Sequence, residues 1–368
     1  MYGGAERVIE QLFRLFPHAD FYSVVDFVPL EQRDFLEGRP VRTTFIQSLP
    51  FAARKYRSYL PLMPLAIEQL DLSRYDLVIS SHFSVANGVI TGPDQLHLSY
   101  VHSPARYAWD LQHQYLHQAG LTRGIKGWVA RYMLHRFRQW DVRTANGVDA
   151  FAANSEFIAR RVWKIYRRKA KVIYPPVDVT QFPLRKSKED FYLAASRFVP
   201  YKRVDLIVEA FRQMPDQRLV LIGDGPEYAR LRKRITHNIT VLSRQDGAAL
   251  SDYMQRAKAF IHAAEEDFGI TPVEAQACGT PVIAYGKGGV REIVRGLDTD
   301  RPTGIFFSDQ TADRLVEAIR EFQKRQADFV PEWCREVALS FVPDRFRKEF
   351  ADFVSERLNI GKRANVDS

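Results

Sequence analysis

The stretch AFIHAAEEDFGITPVEAQACGTPVIAY (259–285) predicts a strand, a loop, a helix and a second strand in succession. The apolar run 259–264 is typical of a buried strand, and residues 281–285 form a second run of the same kind. Such strand–helix–strand units build parallel α/β sheets. Two acids flank the turn, Glu266 and Glu274, with seven residues between them. This pair needs an explanation, either in structure or in chemistry.

A structural explanation exists for Glu274. Thr271 is a good helix N-cap, and Pro272 suits the first helical position. Glu274 then falls at the third position, which completes a predicted capping box. On this interpretation the Glu274 carboxylate satisfies backbone donors, and Glu266 is a solvated loop acid. Gly269 permits a positive φ or the close approach of a ligand.

The same alternation of short apolar runs and amphipathic segments continues through both halves of the chain. Regular alternation of this kind predicts an α/β protein with doubly wound parallel sheets. Helical patterns cover residues such as 204–214 and 228–235. Strands are predicted at 21–26, 75–81, 96–102, 148–155, 191–196, 218–225, 239–243, 259–264, 281–285 and 304–308.

Two prolines in VIYPPVDVTQF (172–182) forbid a helix and indicate a linker. The predicted domains are 1–171, a linker at 172–185, 186–340, and a C-terminal helix with tail at 341–368. Apolar residues spaced by four along that last helix predict that it packs back on the first domain. The chain starts on a Gly-Gly turn that leads into a helix, so we expect the first strand of the first domain to be missing through truncation.

Composition narrows the class of protein. The 368 residues are 46% hydrophobic and 26% charged, which is typical of a globular protein rather than a disordered one. Two cysteines, Cys278 and Cys334, support neither a disulfide framework nor a cysteine zinc site, and a reducing cytoplasm is expected. The sequence has no signal-peptide pattern and no apolar run long enough to span a membrane. The net charge of +9 indicates anionic partners, which leaves phosphate ligands, acidic lipids and nucleic acid open.

The chemistry of the turn at 265–274 favours one kind of ligand. A helix N-terminus after a parallel strand offers free N–H groups and partial positive charge to an anion. Carboxylates accept hydrogen bonds from sugar or ribose hydroxyls. Phosphate on the amides and hydroxyls on the acids together describe a nucleotide sugar.

Motifs along nearly the whole chain resemble the retaining glycosyltransferases of family 4. That family has the GT-B fold, two Rossmann-like doubly wound domains facing a cleft. The resemblance is carried by GGAERV (3–8), YVHSPARYAWD (100–110), ASRFVPYKRVDLIVEAF (195–211), LIGDGPE (221–227) and EDFGITPVEAQACGTPVIAYGKGGVREIV (266–294).

The resemblance implies roles for individual side chains. Arg197 and Lys202 match the basic pair that neutralises the donor diphosphate, although a solvated basic turn is the ordinary explanation for such residues. No Asp-x-Asp motif adjoins them, so we expect no metal cofactor for catalysis. Glu266 would contact the transferred sugar and Glu274 the ribose hydroxyls. His102, which could instead be a structural histidine, would be a catalytic or sugar-positioning residue.

Further donor contacts follow from the same resemblance. The backbone amides of Gly269, Ile270 and Thr271 would face sugar and phosphate oxygens. Gly3 and Gly4 would allow the backbone of the first domain to approach the diphosphate. Arg244 would lie near the pocket for the base.

The expected activity is that of a hexosyltransferase with retention of configuration. The motifs look most like those of bacterial mannosyltransferases of surface polysaccharide assembly, so GDP-mannose is the favoured donor and a UDP-sugar the second choice. A sugar-nucleotide epimerase of the same fold would share the donor site without an acceptor. No helix-turn-helix, zinc-finger or RNP pattern is present, so nucleic acid is not an expected partner.

Two basic segments suggest how an acceptor could be reached. Residues 45–70 interleave basic and aromatic side chains, and seven of the twelve residues at 160–171 are basic. Such segments can lie on an anionic lipid surface, although a solvated helix face is the alternative. We therefore expect a cytoplasmic protein, peripheral on the inner face of the plasma membrane, with a glycan or lipid-linked acceptor.

Overall fold

The computed structural model describes residues 3–364, with side chains up to residue 359. The chain divides into two compact units, Met1–Tyr174 with Phe346–Ser368, and Pro175–Arg345. Each unit has its own parallel sheet and its own buried cores.

The first unit contains a two-stranded and a four-stranded sheet, both parallel. The smaller sheet pairs β1 with β2, and the larger has the order β3-β4-β5-β6. Its strands are β1 (Phe21–Ser23), β2 (Val41–Thr43), β3 (Leu77–His82), β4 (Leu96–Val101), β5 (Ala150–Ala153) and β6 (Ala170–Val172). Its helices are α1 (Gly4–Leu15), α2 (Ala52–Lys55), α3 (Met63–Glu68), α4 (Gln112–Gln118), α5 (Gly124–Thr144) and α6 (Glu156–Tyr166).

The second unit is a six-stranded parallel sheet in the order β12-β11-β10-β7-β8-β9. Its strands are β7 (Glu189–Ala195), β8 (Leu219–Ile222), β9 (Ile239–Leu242), β10 (Ala257–His262), β11 (Val282–Tyr285) and β12 (Gly304–Phe307). Its helices are α7 (Val204–Arg212), α8 (Tyr228–Arg232), α9 (Gly247–Arg256), α10 (Ile270–Ala277), α11 (Ala312–Lys324) and α12 (Pro331–Leu339). The last helix of the chain is α13 (Pro343–Ala364).

All ten predicted strands are present, and the predicted α/β class with parallel sheets is confirmed. The strands β2 and β6 were not predicted. Each has only three residues, VRT and AKV, without a fully buried position, so neither shows a usable hydrophobic period.

Strand order in the second unit reverses at one point. The chain enters the sheet at β7, which pairs with β8 on one side and with β10 on the other. The order therefore reverses between β7 and β10. In open α/β sheets such a switch point leaves a crevice at the carboxyl ends of the two strands. The core beneath it includes Tyr192 on β7 and Phe211 on α7, whose ring centroids are 5.3 Å apart.

The unit boundaries differ from the predicted ones. The first falls between Tyr174 and Pro175, and residues 175–185, predicted as part of a separate linker, belong to the second unit. One reason is Arg335 of α12, whose guanidinium donates to the carbonyl oxygens of Val179 at 3.1 Å and Phe182 at 2.5 Å.

The second boundary falls inside α13, before Phe346 rather than at residue 341. Phe346, Phe350 and Phe353 are buried in a core cluster with Tyr100 of β4, so this helix completes the first unit. The tail beyond Ala364 lies outside the described residues. Among the helices of residues 3–364, none combines the length and the hydropathy that crossing a bilayer requires.

Three histidines at β3 and β4 are held neutral by burial. Burial lowers the pKa of His82 to about 3 and the pKa values of His97 and His102 to about 4. The Nδ1 of His97 lies 3.1 Å from the carbonyl oxygen of Gly147, which can only accept. In the neutral ring Nδ1 therefore carries the proton, and Nε2 accepts from the Ser80 hydroxyl at 2.6 Å.

These histidines make the stability of the fold sensitive to acid. An unfolded histidine binds a proton below a pKa of about 6.5, whereas these folded ones do so only near pH 3–4. Their contribution is complete above about pH 6.5 and is lost as the pH falls toward the folded pKa, by up to about 1.4 kcal/mol per pH unit for each histidine. Urea unfolding between pH 7 and pH 4.5 measures this slope.

The variant His97→Asn is expected to lower the change in unfolding free energy per pH unit by the contribution of one histidine, up to about 1.4 kcal/mol. Its matched control is His113→Asn, at an exposed position of α4, which is expected to leave the slope unchanged. Equal slopes for the wild-type protein and His97→Asn would contradict the assignment.

Candidate functional site

The loops that follow β7 and β10 emerge side by side from the sheet of the second unit. Phe260 of β10 pairs in register with Leu193 of β7, so the two strands end at the same edge. The first loop carries Arg197 and Lys202, and the second carries Glu266. The switch point of the sheet thus places the predicted basic pair next to the predicted acid.

Lys202 and Glu266 form an ion pair across the two loops. Their side chains are only 19% and 18% exposed, so the pair is partly shielded from solvent. His262 at the end of β10 lies below it, with its Nε2 3.5 Å from Glu266 Oε2. Burial, together with the Lys202 cation, lowers the pKa of His262 to about 3, so its ring is neutral at neutral pH.

Two glycines after β11 fix the backbone of Glu266. Gly288 has a φ of 86° and forms an isolated parallel bridge with Glu266. The N–H of Gly289 donates to the Glu266 carbonyl oxygen at 2.9 Å. A Cβ on Gly288 would collide with that oxygen, and one on Gly289 would collide with the backbone of Asp267. Only glycine lets the two loops approach this closely.

The Arg197 loop is fixed in the same way by the turn after β8. Gly223 and Gly225 have positive φ, and a Cβ on either would collide with the backbone carbonyl oxygen of Ser196 or Phe198. The N–H of Phe198 donates to the carbonyl oxygen of Asp224 at 2.6 Å. The side chain of Arg197 itself is exposed, and its guanidinium makes no hydrogen bond or ion pair to residues 3–359.

The start of α10 corrects the predicted capping box. The N-cap is Gly269, with a φ of 107° and no side-chain cap, and the helix begins at Ile270. Thr271 is therefore already the second helical residue, and Glu274 is the fifth rather than the third. The left-handed Gly269 turns the chain into the helix earlier than a threonine cap would. Pro272 is tolerated as the third residue because the N–H at that position has no helical partner.

The amides of Ile270 and Thr271 belong to the first turn of α10, where N–H groups have no partner within the helix. They are available to an anion at the carboxyl edge of the sheet. Glu274 lies one turn after Ile270 on the same helix face and is buried, with 4% of its surface exposed. Glu274 is therefore a buried acid within the helix and not the N3 residue of a capping box.

Arg244 is not brought into this group. It is exposed and follows β9, the last strand of the sheet and the second strand from β7. At the usual spacing of strands it starts about 10 Å across the sheet edge from the Arg197 loop. Its role at a base pocket stays a prediction.

The remaining predicted residues lie in the first unit. Gly3 has an extended backbone, its N–H donates to Glu6 Oε2 at 2.9 Å, and Gly4 is the first residue of α1. The predicted Gly-Gly turn is thus a helix N-cap. His102 follows β4, and its Nε2 lies 2.8 Å from the Ser81 hydroxyl. Because burial lowers its pKa to about 4, His102 is a neutral ring at neutral pH.

Sequence reasoning assigned no role to His262, Gly288 or Gly289. The signal for the glycines was present in GKGG (286–289), because glycines directly after a strand indicate a close backbone approach. His262 gave no signal, since a histidine at the end of an apolar strand is usually a core residue.

Comparison with known proteins agrees with this architecture. Residues 2–181 match the model of Glycosyltransferase Family 4, and residues 178–332 match that of Glycosyl transferases group 1. The crystal structure of Anabaena Alr3699/HepE in complex with UDP-glucose is similar, with a TM-score of 0.68, 18% identity and 97% of each chain covered. The GT-B fold is confirmed, and the chain belongs to the glycosyltransferases whose two domains these models describe.

Relatives of assigned function match over part of their length. The N-acetyl-alpha-D-glucosaminyl L-malate synthase of Bacillus anthracis is 26% identical over 200 residues, 50% of this chain and 51% of that protein. A GDP-mannose-dependent monoacylated alpha-(1-6)-phosphatidylinositol monomannoside mannosyltransferase of Corynebacterium glutamicum is 32% identical over 141 residues, 34% of this chain and 36% of that protein. The chain therefore spans about half the length, or less, of these relatives.

The glycine contact at Glu266 can be tested by stability. Gly288→Ala is expected to lower the free energy of unfolding by about 1–3 kcal/mol, because the new Cβ meets a backbone that cannot move without breaking the Gly289 hydrogen bond. Gly247→Ala is the control, since a Cβ there meets open space, and it is expected to change stability by less than about 0.5 kcal/mol. Equal effects of the two substitutions on urea unfolding would show that the loop is not held this tightly.

Proposed function

We propose that this protein is a retaining glycosyltransferase that transfers a hexose from a nucleotide sugar to a glycan or lipid-linked acceptor. The observation that carries the proposal is the Lys202–Glu266 ion pair at the switch point of the second sheet. The pair brings a lysine cation and a carboxylate to one sheet edge, which is also the edge where α10 begins. This supports the proposal because a diphosphate would use the cation and the first amides of α10, and sugar hydroxyls would use the carboxylate.

The proposed reaction requires positive charge from the protein beside the leaving group. Breaking the bond between the sugar and the diphosphate leaves a nucleoside diphosphate that gains negative charge. Fixed cations at Arg197 and Lys202 stabilise that charge more in the transition state than in the bound donor, and this difference accelerates the reaction. Glu266 would accept hydrogen bonds from the sugar hydroxyls, and Glu274 from the ribose.

Binding of the donor must rearrange the ion pair. In the free protein the Lys202 cation is shared with Glu266, whereas Arg197 is exposed and unpaired within the described side chains. A diphosphate would meet Arg197 first and then compete with the Glu266 carboxylate for Lys202. The exchange releases Glu266 to accept the sugar, so that binding of the phosphates prepares the site for the hexose.

This exchange gives substitutions of the two partners opposite effects on binding. Glu266→Gln is expected to bind GDP or UDP several-fold more tightly, because the competing carboxylate is gone, and to lose about 100-fold or more in transfer rate. Lys202→Met is expected to weaken binding of the same nucleotide about tenfold or more. Isothermal titration calorimetry and chromatographic assay of the released nucleotide measure the two effects.

Glu265→Gln is the matched control, because it removes a neighbouring carboxylate for which no contact with Lys202 is seen. It is expected to leave nucleotide affinity within about twofold of the wild-type value. Weaker nucleotide binding by Glu266→Gln than by the control would contradict the exchange.

The favoured donor is GDP-mannose. Support comes from the resemblance to mannosyltransferases and from the GDP-mannose-dependent relative. A UDP-sugar is the alternative, supported by the similar structure that holds UDP-glucose. A sugar-nucleotide epimerase would use the same donor site but would convert its substrate without an acceptor.

A donor screen distinguishes these activities. We expect GDP and GDP-mannose to raise the unfolding temperature by several degrees, because a ligand at 100 times its Kd adds about 2.7 kcal/mol to the stability of the folded protein. UDP and UDP-glucose are expected to bind more weakly and therefore to raise the unfolding temperature less. We also expect GDP release to depend on an added lipid or glycan extract and to continue in EDTA. A larger rise in the unfolding temperature with UDP would favour a UDP-sugar as the donor. Conversion of the donor without an acceptor would favour the epimerase.

The acceptor and the cellular location belong to the same proposal. A lipid-linked or membrane-delivered glycan would suit a protein that lies on the cytoplasmic face of an anionic membrane. The basic residues of the first unit support such a location.

A further inference from the structure

Helix α5 exposes a stripe of apolar side chains to solvent. Ile125 and Trp128 are 83% and 67% exposed, which is far more than a core-facing position allows. The rings of Trp128 and Tyr132 stack at 5.9 Å with an interplanar angle of 6°. The stripe consists of Ile125, Trp128, Val129, Tyr132 and Met133. Its spacing of three and four residues puts all five side chains on one face of the helix.

The C-terminal half of α5 is already packed against the protein. Phe137 is buried, and Leu134 and Trp140 are partly buried, in a core cluster that includes Met63 and Ile67 of α3. The helix is therefore anchored on the first unit by its C-terminal half, while the stripe lies on its exposed N-terminal half. Five exposed apolar side chains together, on a helix whose other half is packed in a core, indicate a binding surface.

The charges around the stripe are of one sign. Between Asp110 and Asp141 the sequence has no acidic residue and five lysines and arginines. Arg123 and Lys126 next to the stripe are exposed, and neither forms a hydrogen bond or ion pair with the side chains that the structure describes. The α5 stripe is thus an apolar and aromatic surface with uncompensated positive charge beside it.

We infer that the α5 stripe docks on an anionic lipid bilayer, with its aromatic and aliphatic side chains in the headgroup region and the flanking cations on acidic lipids. Tryptophan and tyrosine favour the membrane interface, and exposed apolar area with basic neighbours sets the strength of such binding. A symmetric contact between two copies of this face would place Arg123 and Lys126 against like charges, which opposes a homodimer through it.

A second segment of the first unit has the same character. Phe51 is 73% exposed and lies close in sequence to Arg54 and Lys55, and Leu65 of α3 is 53% exposed. Residues of this segment pack in the same core cluster as the C-terminal half of α5. The predicted basic–aromatic segment 45–70 is thus a structural neighbour of α5, and it would add to the same membrane contact.

The other predicted basic segment, 160–171, contributes less. Arg161 pairs with Asp110 at 2.5 Å, and Lys171 pairs with Glu356 at 3.1 Å. Arg168 donates to the carbonyl oxygens of Ala145, Val148 and Asp149. Because these cations are engaged within the protein, α5 is the better candidate for the membrane contact.

The experiment is co-sedimentation of the full chain with vesicles of phosphatidylcholine, and with vesicles that also contain phosphatidylglycerol. Binding is expected only to the anionic vesicles and is expected to decrease as salt is raised. The double variant Ile125→Ser with Trp128→Ser is expected to bind about tenfold or more weakly. The double variant Lys126→Gln with Arg123→Gln is expected to bind anionic vesicles several-fold more weakly. Its binding is also expected to lose most of its dependence on salt.

The control for the apolar change is Leu30→Ser, because Leu30 is as exposed as Ile125, at 85%, and is followed by acidic residues. It is expected to bind vesicles as the wild-type protein does. Circular dichroism and the nucleotide affinity of each variant, both expected to be unchanged, establish that the fold and the donor site are intact. Vesicle binding needs no donor, so its failure is distinguishable from failure of the proposed transfer reaction.

Two outcomes would overturn the inference. One is vesicle binding by the Ile125→Ser and Trp128→Ser variant equal to that of Leu30→Ser. The other is the absence of vesicle binding together with a concentration-dependent dimer that the double variant abolishes, which would make a second copy of this chain the occupant. Sedimentation velocity without vesicles measures the dimer.

Discussion

The Lys202–Glu266 ion pair depends on a single topological fact, the adjacency of β7 and β10. Because the sheet order reverses between these strands, two loops far apart in sequence begin at neighbouring points on the same edge. The pair places opposite charges at that edge while shielding both from most of the solvent. Everything proposed about donor binding requires this adjacency.

The surrounding backbone is built to keep the two loops in place. Glycines of the turns after β8 and β11 contact the carbonyl oxygens of the Arg197 and Glu266 loops so closely that no side chain fits between them. The neutral His262 ring beneath the pair adds no competing charge. The site therefore combines a closely packed backbone with an ion pair, and the proposed exchange of partners by Lys202 would take place on this fixed frame.

Much of the fold was predictable because its strands are long enough to show a hydrophobic pattern and because motif residues follow directly after them. The three-residue strands β2 and β6 have no such pattern. The capping box at Thr271 was wrong because a glycine with positive φ began the helix earlier, which composition alone does not decide. From the sequence, Lys202 could be grouped with Glu266 only through the family resemblance. The order of strands along the chain does not reveal that β10 pairs with β7 rather than with β9. The α5 stripe was also missed, because a hydrophobic period predicts a helix face but not whether that face is covered.

In the proposed donor site a diphosphate takes Lys202 from Glu266. This exchange is tested most directly by a double-mutant cycle on nucleotide affinity, with Lys202→Met, Glu266→Gln and the two combined. Replacing Glu266 is expected to strengthen nucleotide binding when Lys202 is present and to have no effect when Lys202 is absent. An equal change in affinity in both backgrounds would mean that the carboxylate and the nucleotide do not compete for this lysine, which would contradict the exchange.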